Sequence, residues 1–291
     1  MARAQTHSDG SSVNDPNYHP HDQGSVDWNP NGKMFREHVS RYVYASKLAA
    51  GGHALDIGCG KGYGTYYLAK LAKSAEGLDM NAASIDVARA HFRGAHLSYR
   101  VGDALKVATL GKSFDVITAF EIIEHLPPAA TDHFLCGIGR LLAPGGKALI
   151  STPNHDVVMK SGVPVPDFHI NNFRATELRA KLKQHFKQVT MIGQFNERPG
   201  VEGLLFTLDL FNARHLLSAA LKPLFKSNSS VQNPHGDHHD AKAQAQPQSG
   251  IDAAFFDGIY DSFGDFRFSR MHWRQAGLTL ALCEDPIQAT V

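Results

Sequence analysis

The stretch LDIGCGKGYG, residues 55–64, decides how this chain is read. An apolar run, His53–Ile57, stops at Gly58 and Gly60, and residues 63–73 then follow a helical period. A strand that turns through glycines into a helix lets a ligand approach the backbone closely. It also offers the helix's first N–H groups to an anion. The same alternation continues outward. Strands are expected at 75–80, 97–101, 114–120, 147–152 and 189–193, and helices at 84–92, 131–142 and 176–186. Before the glycines, Phe35, His38, Val39, Tyr42 and Val43 recur at three- and four-residue spacing, so a helix begins at Met34. Short apolar strands between amphipathic helices mean βαβ crossovers and a parallel sheet covered on both faces. Ligands of such sheets sit beyond the strands' carboxyl ends, which directs attention to residues 56–64, 79–80, 103–104 and 120–125.

The flanks read differently. Residues 1–32 are polar and aperiodic, as in a mobile arm. After residue 195 the alternation stops, and 196–277 reads as an insertion ahead of a last strand at 278–283, so that 278–291 returns to the core. Within the insertion, 201–225 is amphipathic, with Leu204, Leu208 and Phe211 on one face. Residues 227–250 are too polar to pack, and 251–268 are rich in aromatics. A lid over the sheet edge, with a mobile loop at 227–250, is the expectation. Of the 291 residues, Lys and Arg number 29 against 28 Asp and Glu, so there is no global basic field for nucleic acid or anionic membrane. The start, MARAQTHSDGSS, lacks an apolar stretch, so no secretory leader is expected. No apolar run reaches spanning length, and the three scattered cysteines suggest neither disulfides nor a thiolate zinc site. A cytoplasmic protein is expected.

The glycine loop carries the chemistry. A dinucleotide fingerprint needs a third glycine where Tyr63 stands, so the strict G-x-G-x-x-G pattern fails. The other class that uses such a turn binds S-adenosyl-L-methionine. There the glycines accommodate the methionine moiety, and Asp56 could hold its ammonium. Asp79, 23 residues further on, could accept both ribose hydroxyls. Asp103 could accept from the adenine amine, with the Ala104 N–H beside the ring.

These segments, together with FDVITAFEIIEHL and LLAPGGKALISTPN, resemble the successive motifs of the class I S-adenosylmethionine-dependent methyltransferases. The resemblance implies a Rossmann-like seven-stranded sheet, mostly parallel with an antiparallel last strand inserted beside the fifth. It places the core at 33–195. It also implies a cofactor site lined by Asp56, Gly58, Gly60, Asp79, Met80, Asp103, Ala104 and Phe120. The segments FREHVSRYVYASKLAAGGHALDIGCGKGYGT and FHINNFRATELRAKLKQHFKQVTMIGQ resemble bacterial members from glycan, cell-surface polysaccharide and secondary-metabolite pathways.

A hydroxyl acceptor must also lose a proton, to a base or to a metal-activated site. Glu121, Glu124 and His125 have the spacing of one helical turn, and His169 returns to the same edge. His125 and Glu121 are the catalytic candidates, and all four residues are candidate ligands of a divalent metal. The set resembles two metal-dependent branches, the small-RNA 3′-terminal 2′-O-methyltransferases and the ubiquinone-biosynthesis O-methyltransferases. It also resembles methyltransferases without a metal, and both readings stay open. The expected acceptor is a small molecule or a glycan. RNA stands behind it, because Lys181, Lys183 and Lys187 read as a solvated helix face and no RNA-binding module is visible. A non-catalytic cofactor-binding protein is the third reading. Peripheral membrane contact and oligomeric state are left open.

Overall fold

The computed structural model describes residues 33–162, 164–196, 266–270, 274 and 276–287. The expected arm at 1–32 and most of the expected insertion, with its lid and loop, lie outside the described residues. Eight strands form one sheet: β1 (His53–Ile57), β2 (Ser74–Asp79), β3 (Leu97–Val101), β4 (Phe114–Phe120), β5 (Leu142–Pro153), β6 (Phe186–Asn196), β7 (Phe266–Ser269) and β8 (Leu278–Pro286). Their spatial order is β3-β2-β1-β4-β5-β8-β6-β7. The five strands from β3 to β5 are parallel, and β8 enters antiparallel between β5 and β6. This is the expected seven-stranded, mostly parallel sheet with its reversed last strand. An eighth strand, β7, is added antiparallel along β6 at the edge, inside the segment read as insertion.

Helices cover both faces. On one lie α1 (Lys33–Leu48), α2 (Tyr63–Ala69) and α3 (Ala82–His91), with Phe35, Val39, Tyr42, Tyr67, Leu68 and Ile85 in the core. On the other lie α4 (Thr131–Leu141) and α6 (Ala175–Leu182), packing Phe134, Leu135, Ile138, Leu178 and Leu182. Strand alternation divides the central strands between these cores. Leu55, Ile57, Ile117 and Ala119 face the second core, while Ala54, Val116 and Phe120 face the first. Asp56 and Thr118 share the face of Ala54 and Val116 by the same period, and the two are paired across β1 and β4. Short elements that were not foreseen include a 3₁₀ stretch, Ala104–Leu110, and a helix, α5 (His155–Ser161). Among the described residues no helix is long and apolar enough to cross a membrane.

Candidate functional site

The expected residues converge at the carboxyl ends of β1 to β5. Gly58 and Gly60 both have positive φ, 75° and 51°. A Cβ on Gly58 would collide with the Ile122 side chain, whereas one on Gly60 would meet nothing within 4 Å and would project into open space. The loop is therefore shaped by the backbone conformation at both positions, and at Gly60 it leaves room for a ligand. Asp79 fastens the loop to the end of β2. Its Oδ2 accepts from the Gly60 N–H at 2.8 Å and its Oδ1 from the Asn81 N–H at 2.9 Å. Each oxygen keeps a further lone pair, as acceptance of two ribose hydroxyls requires. Asp103 accepts from the Leu105 N–H at 2.8 Å and so caps the 3₁₀ stretch that Ala104 opens. The Met80 side chain is exposed at the rim, while Phe120 is buried edge-on against Tyr42, with ring centroids 4.9 Å apart.

Asp56 differs from the expectation. It is fully buried, and three hydroxyls enclose it: Tyr42 and Thr118 donate to Oδ1 at 3.1 and 2.7 Å, and Thr65 donates to Oδ2 at 2.8 Å. Burial pushes its carboxyl up from 3.8 to about 6, against the pull of those three bonds. A direct contact with an ammonium would need this shell to open. In this geometry Asp56 joins α1, α2 and β4 beneath the glycine loop.

Sequence reading missed Arg41. It stands on the buried side of α1, four residues before Ala45, and it is fully buried. Its guanidinium lies 5.8 Å from the Phe120 ring centroid, and its charge reaches Glu121 and Tyr63. Nη1 donates to Gln194 Oε1 at 2.8 Å, but Nε and Nη2 have no hydrogen-bond partner. These two nitrogens form the side-on edge of the guanidinium, the fork that takes a carboxylate bidentately. A buried cation with that fork empty is costly unless an anion arrives. The methionine carboxylate of S-adenosylmethionine is such an anion, so Arg41, the open glycine loop and Asp79 together fit this cofactor.

The second cluster lies just past β4. Ile123–His125 forms a 3₁₀ turn, but Glu121 stands before it with φ 56°. The backbone there is left-handed, and Ser151 Oγ donates to the Glu121 Oε1 at 2.6 Å. Of the four expected residues, the structure groups three. Glu124, His125 and His169 each offer a ligand atom, all within 4.8 Å of one another. Glu124 is 1% exposed, and neither carboxylate oxygen has a hydrogen-bond partner. Burial and the Glu121 charge push its carboxyl well above the usual range. The Phe168 carbonyl can only accept, so His125 donates its Nδ1–H to it at 3.3 Å; in the ring's neutral form the lone pair is then on Nε2. Burial and neighbouring His125 push His169 down to about 4, so it is neutral at physiological pH. Asn171, unnoticed in the sequence, holds this loop in place. Its N–H donates to the Glu124 carbonyl, and its Nδ2 donates to the Ile123 carbonyl and to Thr131 Oγ1.

Residues 54–146 match a family described as a methyltransferase domain. That matched stretch supplies the glycine loop, Asp79 and Asp103 of the site just described. It is 34% identical over 151 residues to a probable S-adenosylmethionine-dependent methyltransferase of Mycolicibacterium smegmatis, covering 51% of this chain and 57% of that protein. It is also 34% identical over 136 residues to a ubiquinone biosynthesis O-methyltransferase of Coxiella burnetii, covering 44% of this chain and 57% of that one. The match thus spans little more than half the length of these curated relatives. In fold it is similar to a SAM-dependent methyltransferase from Archaeoglobus fulgidus, with TM-score 0.50, 14% identity, and 87% and 93% of the two chains covered.

Proposed function

We propose that the protein transfers the methyl group of S-adenosylmethionine to a hydroxyl of a small molecule or sugar. When bound, the cofactor supplies an electrophilic methyl on a sulfonium, and transfer is an in-line displacement. The chain's own work is to align, to hold charge and to move one proton. Arg41 holds the carboxylate end, Asp79 the ribose, and Asp103 with Ala104 the adenine. Positioning of this kind can supply about 7–11 kcal/mol of a barrier. The observation that carries the hydroxyl reading is the contact of His125 Nδ1 with the Phe168 carbonyl. With Nδ1–H held by the Phe168 carbonyl, Nε2 is the acceptor for the acceptor's hydroxyl proton, beside a neutral His169. The names of the relatives from ubiquinone biosynthesis, which are O-methyltransferases, agree with an oxygen nucleophile.

A second reading rests on Glu124. A buried carboxylate with both oxygens unpartnered, flanked by two imidazoles, suits a divalent cation held by Glu124, His125 and His169. Such a cation would acidify a hydroxyl bound to it, and His125 would then act as ligand rather than base. One experiment tests both. Purified protein is given methyl-labelled cofactor and separate pools of phenols, sugars, amines and RNA, before and after exhaustive chelation. Label appearing in a phenol or sugar as a methyl ether supports the proposal, and label in RNA or amine defeats it. Full activity after chelation discards the metal.

A further inference from the structure

Gln194, near the end of β6, makes three hydrogen bonds with α1, although 153 residues separate it from Arg41. It is buried, and its amide orientation is fixed by its partners. Nε2 donates to the Glu37 carbonyl at 2.9 Å and to Ser40 Oγ at 2.6 Å, while Oε1 accepts from Arg41 Nη1 at 2.8 Å. Ser40 Oγ in turn donates to the Glu37 carbonyl at 2.8 Å, so the amide is clamped to one turn of α1. A guanidinium has two edges that can bind a carboxylate as a fork, and both include Nη2. Gln194 engages Nη1, and the Nε and Nη2 donors, which together form the side-on edge, are left without a partner.

We infer that Gln194 is a positioning residue, which orients Arg41 so that its side-on fork meets the cofactor's carboxylate. The inference rests on the reading that Arg41 takes that carboxylate. It links β6 to the methionine end of the cofactor site. A neutral amide suits this task better than a carboxylate. Glutamate would form an ion pair with Arg41 and weaken its hold on a second anion, and it would lack the two donations to α1.

The test compares two ligands by calorimetry on the full chain. S-adenosylhomocysteine carries the carboxylate, and 5′-methylthioadenosine shares the adenosine and sulfur but lacks the amino-acid tail. The readout is the ratio of their affinities. Gln194→Ala and the shape-preserving Gln194→Met should lower that ratio by about tenfold, the effect of loosening one charge-assisted interaction, and leave methylthioadenosine within about twofold. Gln194→Glu should lower it at least as far. A general loosening of the fold would weaken both ligands together and leave the ratio unchanged, and that result in Gln194→Met overturns the inference. Arg41→Met separates the two levels. If it leaves the ratio unchanged, the carboxylate reading itself fails. If it collapses the ratio while both neutral Gln194 variants preserve it, Arg41 stands and the role of Gln194 falls.

Discussion

Replacing Asp56 by asparagine should change how stability depends on pH, in a direction set by its burial. The carboxyl is pushed from 3.8 to about 6, because a fully buried group sits among hydroxyls that only partly replace water. The folded chain therefore keeps this proton in a range where the unfolded chain has lost it. The proton's contribution is fully present below the unfolded value and disappears as pH rises through the folded one. Two units correspond to about 3 kcal/mol, of which about 2 kcal/mol falls between roughly pH 4.5 and pH 7.5. Asparagine keeps the shape, and the Thr65 and Thr118 hydroxyls can rotate to meet an amide. Urea denaturation of both proteins across that range, read as free energies with unchanged m-values, measures the effect as a difference of differences. Other groups that titrate on unfolding cancel in this comparison. Relative to the parent, Asp56→Asn should gain about 2 kcal/mol on going from the acid to the neutral end. Parallel curves for the two proteins would refute the claim that Asp56 is enclosed by its hydroxyl shell in the folded state.

Two further predictions concern the site. Asp79→Ala removes the acceptor proposed for the ribose and also unfastens the Gly60 N–H, so affinity for S-adenosylhomocysteine should fall at least about tenfold; calorimetry showing unchanged affinity removes Asp79 from the site. His125→Ala should lower kcat by about a hundredfold or more, with cofactor affinity held within about twofold, because the ring lies on the acceptor side; an equal loss in cofactor affinity would place it elsewhere.

Much of this was legible in the sequence, for local reasons. Glycines that interrupt a strand–helix junction announce a turn, and strands of alternating burial announce a sheet. Asp56, Asp79 and Asp103 were found because each stands at a strand end, and strand ends can be counted. Arg41 and Gln194 were missed because neither is marked by its neighbours. Arg41 sits in a helix whose period hides one charged residue beside the apolar stripe, and its partner lies 153 residues away. Asn171 escaped for the same reason, since its bonds run to Ile123 and Thr131, 48 and 40 residues away. Glu121 was misplaced because the spacing argument assumed a regular helical turn, whereas the backbone there takes φ 56°.

One feature of the buried surface could not be inferred from any window of sequence. Among the described residues, the buried side-chain atoms without hydrogen-bond partners belong to Arg41, Glu124, Thr152, Asn154, His155 and Thr279, apart from one oxygen of Glu76 that is ion-paired with Arg100. Glu124 follows β4. Thr152 lies at the carboxyl end of β5, Asn154 and His155 just beyond it, and Thr279 pairs with Thr152 across β5 and β8. Folding alone would select against this, since each buried group left unpaired costs about 1–3 kcal/mol. Elsewhere in the described core the polar groups are matched, as Asp56 with its three hydroxyls shows. The deficit gathers at the edge of the sheet where a βαβ fold places its ligands. A guanidinium fork on one side and a carboxylate between two imidazoles on the other mark that edge as having two ends of opposite preference. One end is suited to the anionic tail of a cofactor, and the other to a proton or a cation at the acceptor.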